Sequence, residues 1–162
     1  MALVLTRAIG STPKIIIAAV LVADQATKNW VLNSLDDGRT IDLFWTLRFN
    51  LVFNSGMAFS QGQGAGRLIG LLAVGVALWL WFSLRKATSQ LSLVGTSMLI
   101  GGALGNVADR LFRGDKWLAG AVVDFIDLQW FPVFNIADSA VTIGAAMLIM
   151  SAIKSSRSKA QL

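Results

Sequence analysis

Four stretches of the chain are apolar over the length that a bilayer requires. The clearest is the charge-free run 68–84, which begins after Arg67 and ends before Arg85. As an α-helix this run would rise about 26 Å, close to the thickness of the hydrocarbon core. The pattern predicts four membrane-spanning helices, at about 13–32, 68–84, 88–110 and 136–153.

The segment between the first two spans has a different period. Apolar side chains occur there at every second position, and polar side chains lie between them. The apolar set is Leu43, Trp45, Leu47, Phe49, Leu51 and Phe53, and the polar set includes Thr46, Arg48, Asn50 and Asn54. This alternation predicts a small β-sheet that lies on the membrane, with its apolar face toward the bundle or the lipid.

The composition indicates a membrane protein with a restricted chemistry. Of the 162 residues, 55% are hydrophobic and 14% are charged, so a single polytopic membrane domain over residues 1–162 is expected. The chain has no His and no Cys, and its nine acidic residues are all Asp. This excludes a Ser-His-Asp triad, a cysteine protease, a redox dithiol and an imidazole or thiolate zinc site. An enzyme of this composition must use Asp, Lys, Ser or Thr.

The basic residues predict the orientation of the helices. Seven Lys or Arg and no Asp lie in the two tails and in the loop between the second and third spans: Arg7, Lys14, Arg85, Lys86, Lys154, Arg157 and Lys159. By the positive-inside rule this side is cytoplasmic, so both termini are expected in the cytoplasm. The formal net charge of +5 therefore reflects membrane topology and does not indicate a nucleic-acid partner.

Polar and ionisable side chains converge at the opposite, extracytoplasmic ends of the spans. They lie on three different helices: Asp24, Lys28, Asn106, Asp109, Arg110, Asn135 and Asp138. Charges at membrane depth are costly, so residues of this kind indicate a functional site by default. The sequence thus predicts a site that faces the extracytoplasmic leaflet.

Several of these residues also have a purely structural interpretation. Asp24 and Lys28 have i, i+4 spacing with the acid first, which favours an intrahelical ion pair. Asn135 and Asp138 stand where an N-cap and an acidic third residue would begin the fourth span. Asp124 has the pattern of a surface acid on a short strand.

The third span carries a ridge of small residues. Ser97, Gly101 and Gly105 recur at four-residue spacing, with Gly102 beside them. Ridges of this kind let helix backbones approach closely inside a membrane. We therefore expect the third span to be the packing centre of the bundle.

Five motifs together resemble a known family. In chain order they are Asp24-Gln25-x-x-Lys28, Asn54-x-Gly56-x-x-Phe59, Gly101-Gly102-Ala103-x-Gly105-Asn106-x-x-Asp109-Arg110, Val122-Val123-Asp124-Phe125 and Phe134-Asn135-x-Ala137-Asp138. This set covers nearly the whole chain and resembles bacterial lipoprotein signal peptidase (signal peptidase II). The resemblance implies an all-α membrane protein of four transmembrane helices, with a small extracytoplasmic β-cradle and a short interfacial helix.

The resemblance also implies an activity and a set of partners. It implies an aspartic endopeptidase of the bacterial cytoplasmic membrane, which removes signal peptides from prolipoproteins by cutting before a diacylglyceryl-modified cysteine. The implied partners are these prolipoproteins, membrane lipids and the cyclic peptide antibiotic globomycin. The protein is expected to act as a monomer, without a metal or a cofactor.

Residues that match the family's motifs carry implied roles. Asp124 and Asp138 would form a catalytic dyad. The implied substrate-binding residues are Asn54, Gly56, Asn106, Arg110 and Asn135, and the implied supporting residues are Asp24, Lys28, Gly102, Gly105 and Asp109. The choice of Asp124 over Asp127 rests on the Val-Val-Asp-Phe match alone.

A carboxyl dyad suits the chemistry that the composition leaves available. Two neighbouring carboxyl groups share a proton, so that one can activate water while the other donates to the scissile carbonyl. Asp138, at a helix N-terminus, is assigned as the base, and Asp124 as the acid. This scheme needs neither a metal nor a covalent intermediate.

Three other functions are compatible with intramembrane acids. A transporter or proton relay would use the same Asp residues, although the polar residues stop in the outer third of the bundle. A lipid-binding scaffold would tolerate Asn at Asp124 and Asp138. A Ser-Lys peptidase would need a serine beside Lys28, for which Asp24 is the nearer partner.

Overall fold

The computed structural model describes residues 9–56, 65–87 and 89–159 and contains four long helices and one sheet. The helices are α1 (Ser11–Ser34), α2 (Ala65–Ser83, continued by a 3-10 turn at Leu84–Lys86), α3 (Gln90–Phe112) and α4 (Ile136–Lys159). The strands are β1 (Ile41–Phe44), β2 (Leu47–Asn54) and β3 (Val122–Asp127).

Each predicted apolar span coincides with one of the helices. All four are long and apolar enough to cross a membrane, and many of their large apolar side chains point away from the bundle. A helix satisfies its own backbone hydrogen bonds, which a lipid environment demands. The chain is therefore a multi-pass membrane protein, and the predicted four-helix fold class is confirmed.

Helix α3 is the centre of the bundle, as its small residues predict. It packs against α1, α2 and α4. Gly101 faces Val20 on α1, and a Cβ at Gly102 would overlap the backbone carbonyl of Ala137 at the start of α4. A Cβ at Gly105 would lie 2.5 Å from a carboxylate oxygen of Asp24. The glycine ridge thus brings α1 and α4 close to α3 at the level of the polar residues.

The alternating segment forms the predicted small sheet, but as two strands. The chain reverses at Trp45, which has a φ of 52°, and β2 pairs antiparallel with both β1 and β3. Phe49 and Leu51 pack on a core cluster at the end of α1. The register shifts between Phe49 and Val52, and beyond that shift Phe53 is 60% exposed. The apolar residues therefore do not all share one buried face.

Some expectations fall on residues that the structure does not describe. Phe59 of the second motif lies outside the described residues, and so does Arg7 of the N-terminal tail. Within 9–56, 65–87 and 89–159, the helices are the four long ones and the 3-10 turn, so the implied short interfacial helix is not among them.

Candidate active site

Asp124 lies inside the protein at the middle of the short strand β3. It is 2% exposed, so its interpretation as a surface acid is wrong. One carboxylate oxygen accepts a hydrogen bond of 2.6 Å from the side-chain amide of Asn135, and the other accepts one of 3.0 Å from Asn54. Pairing of β3 with β2, which places Val52 opposite Asp124, holds Asn54 within reach. The acid is therefore held by one amide from the sheet and one from the start of α4.

Asp138 lies in the first turn of α4, where the predicted capping arrangement is present. The backbone N–H of Asn135 donates to Asp138 Oδ2 at 3.2 Å, and the backbone N–H of Asp138 donates to Asn135 Oδ1 at 2.9 Å. These reciprocal bonds fix the first turn of the helix. The other oxygen, Oδ1, accepts a 2.8 Å hydrogen bond from Asn106 on α3.

The two acids line one cavity of about 520 Å³. Near the acids the cavity is polar, because Asn54, Asn106 and Arg110 also line it. Away from them its wall is apolar and comes largely from α2, with residues Ile69, Leu72, Ala73, Val76 and Leu80. One end can thus bind peptide groups while the rest accommodates apolar side chains.

Arg110 contributes an unused donor to this cavity. Its side chain is 5% exposed, and Nη1 is the one buried side-chain nitrogen or oxygen in the described part of the chain without a hydrogen-bond partner. A buried guanidinium nitrogen without an acceptor is costly. Gly66 and Gly70 on α2 leave the room that this side chain occupies. Arg110 lines the cavity, so its guanidinium group lies beside any ligand that binds there.

Lys28 is the centre of a buried ion cluster that joins α1 and α3. The predicted pair with Asp24 is present at 2.8 Å, and Asp109 lies at the same distance on the other side. All three side chains are 0% exposed. Lys28 also donates to Asn106 Oδ1 at 3.0 Å, which turns the amide nitrogen of Asn106 toward Asp138. The cluster therefore orients Asn106, which donates a hydrogen bond to Asp138.

The two acids of this cluster also hold the elements that carry Asp124 and Asp138. Asp24 accepts a 2.9 Å hydrogen bond from the backbone N–H of Ala137, one of the free donors at the start of α4. Asp109 accepts one of 3.1 Å from the backbone N–H of Val123, next to Asp124 in β3. Asp24 and Asp109 thus tie α4 and β3 to the helical frame.

Asn54 and Gly56 form the turn that leaves β2. Asn54 Oδ1 accepts a 2.9 Å bond from the backbone N–H of Gly56, so that the Asn54 amide nitrogen points at Asp124. Gly56 has a φ of +110°, and a Cβ there would stand 3.1 Å from the Cα of Gly66. Glycine is therefore required at this turn by both its backbone conformation and its surroundings.

Asn135 differs in position from the other implied substrate-binding residues. It is 0% exposed, and its amide nitrogen lies within hydrogen-bond distance of three protein acceptors, on Asp124, Asn106 and Val123. Because these acceptors occupy its donor, Asn135 is placed to orient the acids rather than to contact a ligand.

Two further residues, Gln25 and Arg113, support the site, although the sequence motifs assign them no role. Gln25 donates to Asp24, to Asp109 and to the carbonyl of Gly105, at 3.0–3.1 Å. Arg113 donates to Asp109 at 2.8 Å from one turn further along α3. Two features of the sequence could have indicated these roles: Gln25 follows Asp24 directly, and Asp109 and Arg113 have i, i+4 spacing.

The environments of Asp124 and Asp127 set their pKa values apart. Burial raises the pKa of Asp124 to about 6, and the nearby charge of Asp138 acts in the same direction. Hydrogen bonds from Asn54 and Asn135 and the charge of Lys28 oppose this rise.

At Asp127 burial also acts to raise the pKa, but the net shift is downward. Hydrogen bonds from Arg48, the Gln129 backbone and Asn50, together with the charge of Arg48, outweigh burial. The Arg48–Asp127 ion pair has a length of 2.8 Å. Of the two acids on β3, Asp124 is thus the one that retains a proton more readily.

Comparison with known proteins identifies the family. The model of the signal peptidase II family matches residues 16–154, which include every motif above. The chain belongs to the signal peptidase II family. This membership confirms the resemblance that the motifs indicate. The chain is therefore a membrane peptidase, and no finding supports the transporter alternative.

Individual members of the family show the same likeness. The chain is 39% identical over 139 residues to a lipoprotein signal peptidase of Mycobacterium leprae, which covers 85% of this chain and 69% of the relative. It is also 39% identical over 137 residues to the lipoprotein signal peptidase of Mycobacterium avium. This match covers 84% of this chain and 75% of the relative.

Two solved bacterial membrane enzyme structures have the same fold. One matches with a TM-score of 0.80 and 29% identity, over 92% of each chain. The other has a TM-score of 0.77 and 30% identity, and covers 89% of this chain and 94% of its own. The chain thus shares its overall fold with solved bacterial membrane enzymes.

Proposed function

We propose that this signal peptidase II removes the signal peptide from diacylglyceryl-modified prolipoproteins and cuts the peptide bond before the lipidated cysteine. The observation that carries the proposal is the pair of Asp124 and Asp138 at the polar end of a cavity whose remaining wall is apolar. A lipoprotein precursor has matching parts: a scissile peptide group, and an apolar signal segment that lies in the membrane.

In the proposed mechanism the two acids divide the proton transfers. Asp138 is ionised and takes a proton from the attacking water, and Asp124 is protonated and donates its proton to the oxygen of the scissile carbonyl. The raised pKa of Asp124 supports its role as the acid. As the carbon–nitrogen bond breaks, the proton that Asp138 has taken passes to the leaving nitrogen. One hydroxyl of the tetrahedral carbon returns its proton to Asp124 as the new carboxylic acid forms, so both acids regain their starting states.

The amide and guanidinium groups around the acids would bind the peptide. Asn106 keeps Asp138 in place through its 2.8 Å hydrogen bond. Arg110 Nη1 has no hydrogen-bond partner among the residues that the structure describes, and we assign the Arg110 guanidinium to a carbonyl oxygen of the substrate. Asn54 and Gly56 also line the cavity and would limit where the substrate chain can enter.

We further propose that the enzyme lies in the bacterial cytoplasmic membrane with both termini in the cytoplasm. The support is the set of seven basic residues that lie without an acid at the tails and at the loop between α2 and α3. The acids lie at the opposite ends of the helices, so the site would open on the extracytoplasmic side. A monomer contains every residue of the proposed site, and globomycin would compete for it.

Cleavage of a defined substrate tests the proposed function. The purified protein in lipid nanodiscs is mixed with a diacylglyceryl-modified prolipoprotein or with the same precursor lacking the lipid, and the new N-terminus is identified by mass spectrometry. We expect cleavage directly before the lipidated cysteine, and little cleavage of the unmodified precursor. Failure to cleave, or a cut elsewhere in the precursor, would contradict the proposal.

The pH dependence of cleavage tests the assignment of the acid. Asp124 must be protonated to donate, so the rate constant should fall as the pH rises through about 6, the pKa of Asp124. The measured value belongs to the pair of acids, because the two titrations are coupled. A rate constant that stays constant across this range would contradict the assignment.

An Asn54→Ala variant supplies the comparison for the pH profile. The hydrogen bond from Asn54 stabilises the ionised form of Asp124 and so lowers its pKa. Without that bond, Asp124 keeps its proton to higher pH, and the falling limb of the profile should move upward. A shift in the opposite direction would argue against Asp124 as the acid.

A further inference from the structure

A second cavity of about 660 Å³ opens at the start of α4, and we call it the aromatic groove. Its lining is mostly apolar and includes Leu128, Trp130, Phe131, Phe134, Thr142 and Ile143. Asp138 lines both this groove and the cavity that holds the dyad. The two cavities therefore meet at one of the proposed catalytic acids.

The wall of the aromatic groove is a loop that is fixed at both ends. After β3 the chain returns so that Phe134 pairs with Ile126, with backbone hydrogen bonds of 2.8 and 3.1 Å. Asp127 accepts a 2.7 Å bond from the backbone N–H of Gln129, which has a φ of 66°. The Gln129 side chain donates to the carbonyl of Thr46 at 3.0 Å. The groove is therefore preformed.

The loop holds large aromatic side chains away from the protein core. Trp130 is 69% exposed and Phe131 is 53% exposed. Phe131 packs edge-to-face between Trp130 and Phe134, with ring centroids 6.0 and 5.9 Å apart. Aromatic side chains at the end of a membrane span lie at the bilayer interface, so the groove has an apolar wall at the level of the lipid.

The groove offers little to a peptide backbone. The hydroxyl of Ser139, one of its few polar groups, already donates to the carbonyl of Asn135 at 3.0 Å. A peptide in such a groove would leave its backbone donors and acceptors unpaired, whereas an acyl chain has none to pair. By contrast, the cavity on the other side of Asp138 presents Asn54, Asn106 and Arg110.

We propose that the aromatic groove binds an acyl chain of the substrate's diacylglyceryl group. This inference rests on the proposed function and adds a binding site to it. At the scissile bond the substrate has two apolar parts, the signal segment and the lipid, and two apolar cavities meet at Asp138. With the peptide in the cavity near Arg110 and an acyl chain in the aromatic groove, the bond beside the lipidated cysteine lies at the acid.

Filling the groove tests this assignment. Thr142 is exposed on α4, so Thr142→Trp places a large side chain in the groove without disturbing the core. The matched control is Ile149→Trp, on the same helix at a position that is 61% exposed and does not line the groove. Each full-length protein in nanodiscs is given two substrates of one sequence, with palmitoyl or hexanoyl chains.

We expect the wild-type protein to cleave the palmitoyl substrate with the higher kcat/KM. Thr142→Trp should reduce the ratio of the two kcat/KM values by about tenfold, since the indole takes the place of about two methylene groups of the long chain. Ile149→Trp should keep the wild-type ratio. An unchanged ratio in Thr142→Trp, or an equal change in both variants, would overturn the assignment and indicate that bulk lipid occupies the groove.

A crosslinking measurement gives an answer even if Thr142→Trp folds poorly. A substrate with a photoreactive group in the middle of an acyl chain is bound to the Asp124→Asn protein, irradiated and digested. Labelling of the segment 128–143 supports the assignment, and labelling confined to α2 overturns it. Wild-type protein that cleaves neither substrate would instead overturn the proposed function, and this inference with it.

Discussion

Replacement of either acid of the dyad should abolish cleavage. We expect Asp124→Asn and Asp138→Asn each to lower the rate constant for cleavage of the lipidated precursor by about 10³-fold or more, the scale of general acid–base catalysis. Asn keeps the shape of the side chain but can neither ionise nor donate a carboxylic proton. Single-turnover measurement separates this loss from slow product release.

Asp127 provides the matched control on the same strand. Asp127 is 4% exposed and Asp124 is 2% exposed, so the two acids are similarly buried. The side-chain partners of Asp127 are Arg48 and Asn50 of β2, and Asp127 does not line the cavity that Asp124 and Asp138 share. Asp127→Asn should reduce thermal stability, because Arg48 loses its charged partner, yet the folded fraction should cleave at close to the wild-type rate constant.

The comparison of these three variants decides between a catalytic and a structural role. Equal loss of activity in Asp127→Asn and Asp124→Asn, with folding preserved, would show that the assay reports the integrity of the sheet. Near-normal cleavage by either dyad variant would exclude the two-acid mechanism. Circular dichroism and thermal unfolding in detergent verify that each variant is folded before its activity is compared.

The helical frame was predictable because its signals are local. A charge-free run of about 18 residues must be a helix in lipid, and the glycine spacing on α3 identified the face that packs closely. The ion pair of Asp24 and Lys28 and the capping bonds of Asn135 and Asp138 also lie within one or two helical turns. Residues this close in sequence meet whatever the tertiary fold.

The remaining features depend on contacts between distant parts of the chain. Asp124 and Asp127 are indistinguishable from the residues alone. They differ because the fold places Asp124 near Asn135 and Asp138. It places Asp127 beside Arg48. The second acid beside Lys28, Asp109, is brought in by helix packing at α3. Burial of these groups and the cavity wall from α2 likewise follow from packing, which periodicity does not specify.

Removal of the charge at Lys28 should strongly destabilise the protein. Lys28→Met removes the cation that lies between the fully buried side chains of Asp24 and Asp109. Asp109 then keeps its 2.8 Å pair with Arg113, whereas Asp24 loses its ion-pair partner. Loss of one partner from a buried ion pair typically costs about 3–5 kcal/mol. We therefore expect a large drop in the unfolding temperature in detergent, and a loss of cleavage in the molecules that remain folded, because Asn106 also loses the donor that orients it.

Arg39, which pairs with Asp37 on the surface, provides the matched control for removal of the Lys28 charge. Their side chains are 60% and 59% exposed and 3.6 Å apart, so Arg39→Met should leave the unfolding temperature unchanged. A second variant, Lys28→Met with Asp24→Asn, removes the acid that has lost its cation and should recover part of the lost stability. If Lys28→Met unfolds at the same temperature as Arg39→Met, the cluster does not hold α1 and α3 together. If the second substitution lowers stability further, the uncompensated charge of Asp24 is not the cause of the loss.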